Sequence, residues 1–222
     1  MNSKKINMKF FKISICVIAV LFYSAIFAGN EDRAGSAGAT DLLVNPWARS
    51  SAWGSAGISS VNGLEGIFLN VAGLAYAEQT EIQFARTNWM GNISGIGLNA
   101  AGFAQRVGEA GVLGVSFVSM NYGDIEITTT ELPEGGIGYF NPSSINLTLS
   151  YAKKFSSSIS GGMNLKIVSQ SISNVGAQGV AIDAGIRYVT GEQDNIKFAI
   201  SLKNVGPPMS FSGDGLTLDI LN

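Results

Sequence analysis

Long runs of alternating apolar and polar residues are the feature that most constrains this chain. Four successive runs, at residues 145–152, 158–167, 180–188 and 196–203, place apolar side chains at every second position. Successive side chains of a β-strand point to opposite faces, so this period of two predicts four strands with one apolar face each. Less regular runs near residues 82, 96 and 113, and a partial run at 216–220, extend the prediction to about seven strands and a partial eighth.

The length of these runs matters as much as their period. Strands of soluble sheets average about five or six residues, whereas a tilted strand that crosses a membrane needs about nine to eleven. The runs at 145–154, 158–170 and 179–189 fit the longer class. The connections at 107–110, 155–157 and 190–195 are short, and the one at 121–144 is long and holds a further short strand at 124–130. Short turns at one rim and long loops at the other are typical of membrane barrels.

Two architectures use such strands, and the charge content helps to distinguish them. In a soluble β-sandwich the apolar faces meet each other and the polar faces meet water, so surface charge should be ordinary. In a membrane barrel the apolar faces meet lipid and the polar faces line the lumen. Charged residues make up only 14% of the chain, and the charges inside the four clean strands fall on the polar face. The pattern therefore favours an antiparallel transmembrane β-barrel and keeps the sandwich as the alternative.

The N-terminus has the pattern of an export signal. Four lysines up to Lys12 precede an apolar run at residues 13–27, and Ala28 and Gly29 then lead into polar sequence. A run of this length is short for a membrane-spanning helix, so residues 1–28 are expected to form a signal peptide, with a retained anchor as the alternative. Its removal takes away Cys16, the only cysteine, so no disulfide is expected in the mature chain.

Composition argues against several functional classes. The 222 residues contain no histidine and carry a formal net charge of −2, without the basic stripe of a nucleic-acid binder. Without histidine or a mature cysteine, a metal site is not expected, and no nucleophile motif indicates an enzyme. The glycines at 95 and 97 lie in an alternating strand pattern and do not indicate a nucleotide site. We therefore expect no catalysis, no cofactor and no nucleic-acid partner.

Residues 29–80 are rich in Gly, Ala and Ser and lack a clean period. Ala and Leu favour helix, so short helical pieces are expected near residues 48–52 and 71–76. Within this stretch, residues 46–58 read PWARSSAWGSAGI and residues 70–75 read NVAGLA; near the C-terminus, residues 203–211 read KNVGPPMSF. In this order, the three motifs resemble those of the PorV/PorQ family of Bacteroidetes outer-membrane proteins, which are similar to FadL fatty-acid transporters.

The resemblance implies a FadL-like barrel with residues 29–80 as a plug and residues 81–222 as wall strands. FadL-like barrels have 14 strands, so about 7–8 strands imply a partial barrel that is incomplete at its C-terminus, with a closed eight-stranded barrel as the alternative. It also implies an outer-membrane role in type IX protein secretion or surface attachment, in which the protein binds the C-terminal domains of secreted cargo and contacts other secretion components. A FadL-like channel for hydrophobic solutes and a soluble adhesive β-sandwich are the alternatives. Val71 stands where the family has proline.

Three groups of candidate residues follow from this interpretation. The plug motif residues are Arg49, Gly54, Gly57, Asn70 and Gly73. The charges expected to face the lumen, where they line a solute or peptide path or neutralise one another, are Lys166, Asp183, Arg187, Lys197 and Lys203. Arg49 is expected to pair with a wall carboxylate such as Asp183. The possible cargo loop contains Leu132, Tyr139 and Phe140. Trp47 and Trp53 are expected to pack inside the plug, and Trp89 to join an aromatic girdle.

Overall fold

A computed structural model of the chain describes residues 38–89, 95–109 and 111–216. In chain order the strands are β1 (Thr80–Asn88), β2 (Gly97–Val107), β3 (Gly111–Asn121), β4 (Ile125–Glu126), β5 (Tyr139–Phe140), β6 (Ser143–Lys154), β7 (Ile159–Ile172), β8 (Val175–Thr190) and β9 (Ile196–Val205). Seven of them form one antiparallel sheet in the order β1-β2-β3-β6-β7-β8-β9, and β4 pairs with β5. The expectation of an all-β antiparallel protein with seven main strands is confirmed.

The sheet is open within the described part of the chain. There β1 pairs with β2 and β9 pairs with β8, and no pairing joins β1 to β9. The expected partial strand at 216–220 falls outside the described residues except for Leu216, which ends a 3₁₀ helix, Asp214–Leu216. Each strand of the seven-stranded sheet pairs with the next strand of that sheet in chain order, and the β4–β5 pair lies in the connection between β3 and β6.

The connections agree with expectation at one rim and differ at the other. The three tight connections follow β2, β6 and β8. Within residues 124–130 of the long connection, where a strand was expected, only Ile125–Glu126 forms one, and it pairs with Tyr139–Phe140. The connection between β7 and β8 is also tight, with Ser173 in the left-handed region at φ 53°. The long hairpin of β7 and β8 therefore ends at the same rim as the long loop.

One face of the sheet is apolar and exposed, and is called the exposed face below. Two complete rows of side chains cross it in ladder register from β1 to β8: Ile82, Phe103, Val115, Leu149, Leu165 and Ile182, and next to them Phe84, Ala101, Phe117, Leu147, Ile167 and Val180. Phe84 is 77% exposed. The next row towards the long loops is mostly polar, with Arg86, Asn99, Ser119, Ser169 and Gln178. The apolar rows therefore have a defined polar border.

The opposite, covered face of the sheet lies under residues 38–79, called the N-terminal segment below. This segment contains 3₁₀ helices at Thr40–Leu43, Gly63–Glu65 and Val71–Tyr76, and α-helical turns at Ala48–Ala52 and Gly66–Leu69. The two helical pieces expected from the sequence are confirmed. No helix in the described residues is long and apolar enough to cross a membrane.

The hydrophobic core lies between the N-terminal segment and the sheet. Leu64, Ile67, Val71 and Leu74 of the segment pack against the small side chains Ala104, Val112 and Ala152 of β2, β3 and β6. Small residues on the covered face let the segment approach the sheet backbone closely. A Cβ atom at Gly185 of β8 would clash with the Asn70 amide oxygen. The contact between segment and sheet therefore depends on the absence of a side chain at this position.

Candidate functional site

A cluster of four polar side chains lies on the covered face, in β7, β8 and the end of β9; Asn164, Lys166 and Asp183 are buried and Asn204 is half-buried. Lys166 Nζ lies 2.7 Å from Asp183 Oδ2, and these side chains are 4% and 3% exposed. Asn164 Nδ2 donates to the same carboxylate oxygen at 2.8 Å. The backbone N–H of Asn204 donates to Asp183 Oδ1 at 2.7 Å, and Lys166 donates to Asn204 Oδ1 at 2.7 Å. A buried ion pair needs such additional hydrogen bonds to offset its lost hydration.

Local backbone geometry of the 203–211 motif completes this buried charge cluster. The ladder between β8 and β9 has a bulge between Ile182 and Ala184, opposite the end of β9. At this bulge Asn204 adopts φ 57°, a left-handed conformation that asparagine tolerates better than most residues. The bulge directs the Asn204 N–H at the Asp183 carboxylate. β9 ends within this motif, at Val205, and Asn204 of the motif supplies two contacts to the buried charges.

The buried charge cluster also holds the N-terminal segment. Asn164 Nδ2 donates to the Ile67 carbonyl at 2.8 Å in addition to its bond with Asp183. Nearby, Arg187 Nη1 donates to the Val61 carbonyl at 2.9 Å and to Asn62 Oδ1 at 2.7 Å. These bonds satisfy carbonyl groups of the segment that the sheet removes from water. The segment is therefore fixed to the covered face at several points by wall side chains.

Two aromatic rings of the N-terminal segment contact three cations of the sheet, Lys154, Arg187 and Lys203. The Arg187 guanidinium lies 4.3 Å and Lys154 Nζ 4.1 Å from the centre of the Tyr76 ring. Lys203 Nζ lies 4.0 Å from the centre of the Phe68 ring. Such cation–π contacts stabilise a positive charge without a carboxylate partner. No pattern in the sequence indicates this role for Tyr76 or Phe68, because ring contacts depend on how the segment lies across the sheet.

The five charges expected on the polar face have different surroundings. Lys166, Asp183, Arg187 and Lys203 contact one another or the N-terminal segment, as the preceding distances show. Lys197, near the start of β9, is exposed and stands outside the cluster. The expected pair of Arg49 with Asp183 is wrong, because Lys166 reaches Asp183 diagonally across the β7–β8 ladder.

Arg49 pairs instead with a carboxylate of its own segment. Arg49 Nε lies 3.3 Å from Glu65 Oε1, and the two side chains are 70% and 7% exposed. A cleft of about 480 Å³ opens beside this pair and is lined by Trp53, Gly57 and Leu69 among others. Trp53 is 75% exposed, so its expected packing is wrong, whereas Trp47 is buried as expected. Glu65 carried no signal in the sequence, because its burial arises from the fold of the segment.

The other motif residues shape the backbone of the segment. Asn70 Oδ1 accepts from the Ala72 N–H at 3.0 Å and caps the helix Val71–Tyr76. Its Nδ2 donates to the Ile58 carbonyl at 3.0 Å and to the Ile186 carbonyl of β8 at 3.4 Å. A Cβ atom at Gly73 would clash with the Val61 carbonyl. Gly54 and Gly57 have φ values of 62° and 123°, which other residues rarely adopt.

The long connection presents apolar side chains to solvent. Leu132 and Tyr139 are exposed, whereas Phe140 is half-buried in the β4–β5 hairpin. The Gly136 N–H donates to Glu126 Oε1 at 2.9 Å, and Asn141 Nδ2 donates to Asp124 Oδ1 at 2.9 Å. The loop is therefore held by its own hydrogen bonds, while Leu132 and Tyr139, together with Ile125 and Ile137, stay exposed. Trp89 directly follows β1 and is half-buried.

The described residues hold no group of three or more Asp, Glu, Cys or His side chains placed to bind a metal ion. The polar groups on the covered face hold the segment, and among the described residues large apolar side chains are exposed on the exposed face of the sheet and in the long connection. No protein-family model matches this chain, and no curated protein matches it.

Proposed function

We propose that this chain forms the wall of an outer-membrane β-barrel and takes part in type IX protein secretion or surface attachment of cargo. The observation that carries the membrane part of the proposal is the exposed face. Two unbroken apolar rows cross six strands, and β7 and β8 are 14 and 16 residues long. Soluble monomers rarely leave a continuous apolar surface of this extent in water. Contact with lipid hydrocarbon would remove this apolar surface from water, as it does for the outer surface of membrane barrels.

The covered face supports the same proposal. Buried Lys166, Asp183 and Arg187 lie on the side of the sheet opposite the apolar rows, next to the N-terminal segment. A barrel turns such polar side chains towards its lumen. In hydrocarbon, unpaired backbone N–H and C=O groups cost several kcal/mol each, so the proposal requires that the edges of β1 and β9 be paired in the membrane.

The secretion role rests on the motif resemblance and on the uncovered loop. Leu132 and Tyr139 protrude at the long-loop rim, where a protein partner has access to them. The runner-up, a FadL-like channel for hydrophobic solutes, is supported by the cleft beside Arg49 and Trp53. The soluble β-sandwich is disfavoured, because no second sheet packs against the apolar rows within the described residues.

Fractionation tests the membrane part of the proposal. The full chain, expressed with its N-terminus intact, is expected in outer membranes after a sodium carbonate wash and to need detergent for extraction. Release by carbonate would contradict the proposal and favour the soluble alternative. A peripheral membrane protein of the same host is the control, because the carbonate wash should release it.

Pull-down tests the secretion part. The detergent-extracted protein is expected to retain a type IX C-terminal signal domain, and the double variant Leu132→Ser/Tyr139→Ser is expected to lose it while inserting normally. Leu43→Ser is the matched control, because Leu43 is an exposed leucine of the N-terminal segment. Equal retention by the double variant would refute the loop assignment. Uptake of a long-chain fatty acid without domain binding would favour the channel.

A further inference from the structure

The polar border of the exposed face has a cation at the β1–β2 end. Arg86 on β1 and Asn99 on β2 are directly paired in the ladder, and both side chains are exposed. They lie one row beyond Phe84 and Ala101, on the side of the long loops. A positive group and an amide therefore stand side by side where the apolar rows end.

Below this border, a small residue leaves a gap between two aromatic rings. Ala101 pairs with Phe84 on one side and with Phe117 on the other, so the row reads large, small, large. The gap forms a cleft of about 340 Å³ on the exposed face, lined by Phe84, Arg86, Asn99, Ala101 and Phe117. The cleft thus has a polar end and an apolar end.

The charge of Arg86 lacks a protein partner in the part of the chain that the structure describes. The ion pairs described there are Arg49–Glu65 and Lys166–Asp183, and neither involves Arg86. A guanidinium offers several N–H donors in a planar fork that matches the oxygens of a phosphate group, and an asparagine amide adds two more. Long cationic side chains also place their charge at a membrane interface while their stem covers apolar surface.

We propose that this cleft binds an anionic lipid with a phosphate headgroup, with the phosphate on Arg86 and Asn99 and one acyl chain between Phe84 and Phe117. This inference rests on the proposed membrane location and adds a specific lipid site to it. The occupant is a lipid because the apolar end of the cleft faces the same direction as the lipid-facing rows. Free phosphate would leave that end empty, and a single exposed arginine gives it few contacts.

The test uses the full chain extracted in dodecyl maltoside and native mass spectrometry. The protein is mixed with equal amounts of dioleoyl phosphatidic acid and dioleoyl phosphatidylcholine, and the bound lipids are counted. Preferential retention of phosphatidic acid is expected, because its headgroup is anionic whereas that of phosphatidylcholine is zwitterionic, and hydrogen bonds between charged groups are the stronger ones. Arg86→Gln is expected to weaken this retention at least about tenfold.

Two further variants distinguish the effect of the Arg86 charge from that of the space between the two phenylalanines. Ala101→Leu keeps the arginine but fills the space between the phenylalanines, and it is expected to weaken retention as well. Lys153→Gln is the matched control, because Lys153 is an exposed cation on the same face of β6, away from the cleft. Lys153→Gln is expected to retain phosphatidic acid like the original chain.

Three outcomes would overturn the inference: equal retention of both lipids, unchanged retention in Arg86→Gln, or displacement of the lipid by excess inorganic phosphate. The carbonate wash distinguishes these failures from failure of the proposed function. A chain that stays in the washed membrane but shows no lipid preference refutes the lipid site alone. A chain released by carbonate refutes the membrane location itself.

Discussion

At the scale of single residues, the charges on the covered face are satisfied by specific partners. Asp183 accepts hydrogen bonds from Lys166, Asn164 and the Asn204 backbone, so both carboxylate oxygens are occupied. Such a cluster is stable only as a set, because removal of one charge leaves its partner buried without compensation. The covered face therefore tolerates its charges because each one is paired, bonded to a carbonyl or placed against a ring.

Asp183→Asn is expected to destabilise the protein strongly. The change leaves the Lys166 ammonium buried without a counter-charge, which costs about 3 to 5 kcal/mol. The measurement is the unfolding temperature in detergent, followed by loss of the heat-modifiable band on gels. Lys197→Met is the control, since Lys197 is exposed and outside the buried charge cluster. Equal unfolding temperatures for Asp183→Asn and the original chain would contradict this account of the cluster.

At the scale of elements, each long strand separates two environments. Along β7, Met163, Leu165 and Ile167 lie on the exposed face, while Asn164, Lys166 and Val168 are buried on the covered face. The period of two in the sequence produces this division directly. The same strand becomes polar on its exposed face at Ser169, which belongs to the polar border row.

Leu165→Arg discriminates between lipid and water as the medium of the exposed face. In a bilayer the arginine is expected to cost about 2 to 4 kcal/mol and to lower the yield of inserted protein. In water, an arginine at this exposed position would change stability by less than about 0.5 kcal/mol. Ser169→Arg is the matched control, because it lies on the same face of β7 in the polar border row. Normal insertion of Leu165→Arg would argue against a lipid-facing sheet.

At the scale of the whole molecule, the N-terminal segment and the sheet share one core. Leucine and isoleucine side chains come from the segment, and the sheet contributes alanines and glycines that give them room. Neither part buries this apolar surface alone, so we expect the two to unfold together. Asn70 approaches Gly185 so closely that the sheet has no room for a side chain at this position.

Gly185→Ala tests this dependence. The added Cβ atom would clash with the Asn70 amide, so the segment is expected to shift off the sheet at a cost of about 1 to 3 kcal/mol. Gly97→Ala in β2 is the control, because a Cβ atom there meets no atom within 4 Å. The readouts are the unfolding temperature in detergent and the rate of protease cleavage within residues 38–79. Identical behaviour of the two variants would show that the segment does not need this contact.

Several elements were predictable because their signals are local. The alternation at 145–203 predicted four strands and their apolar faces, and the structure confirms both. The tight connections after β2, β6 and β8 were also predicted from their length. The pairing of Arg49 with Asp183 was wrong, and so was the burial of Trp53. Both errors concern contacts within or onto the irregular N-terminal segment, where no periodic pattern fixes the direction of a side chain.

The sequence by itself determined the number of main strands and the polarity of each face, because a period of two acts between neighbouring residues. Only the tertiary structure decided which polar groups meet. The ladder register brings Lys166 to Asp183, the bulge at Asn204 completes their hydrogen bonds, and the course of the segment sets Tyr76 against Arg187. These contacts join residues far apart in the chain, so they depend on register and packing that local patterns do not contain.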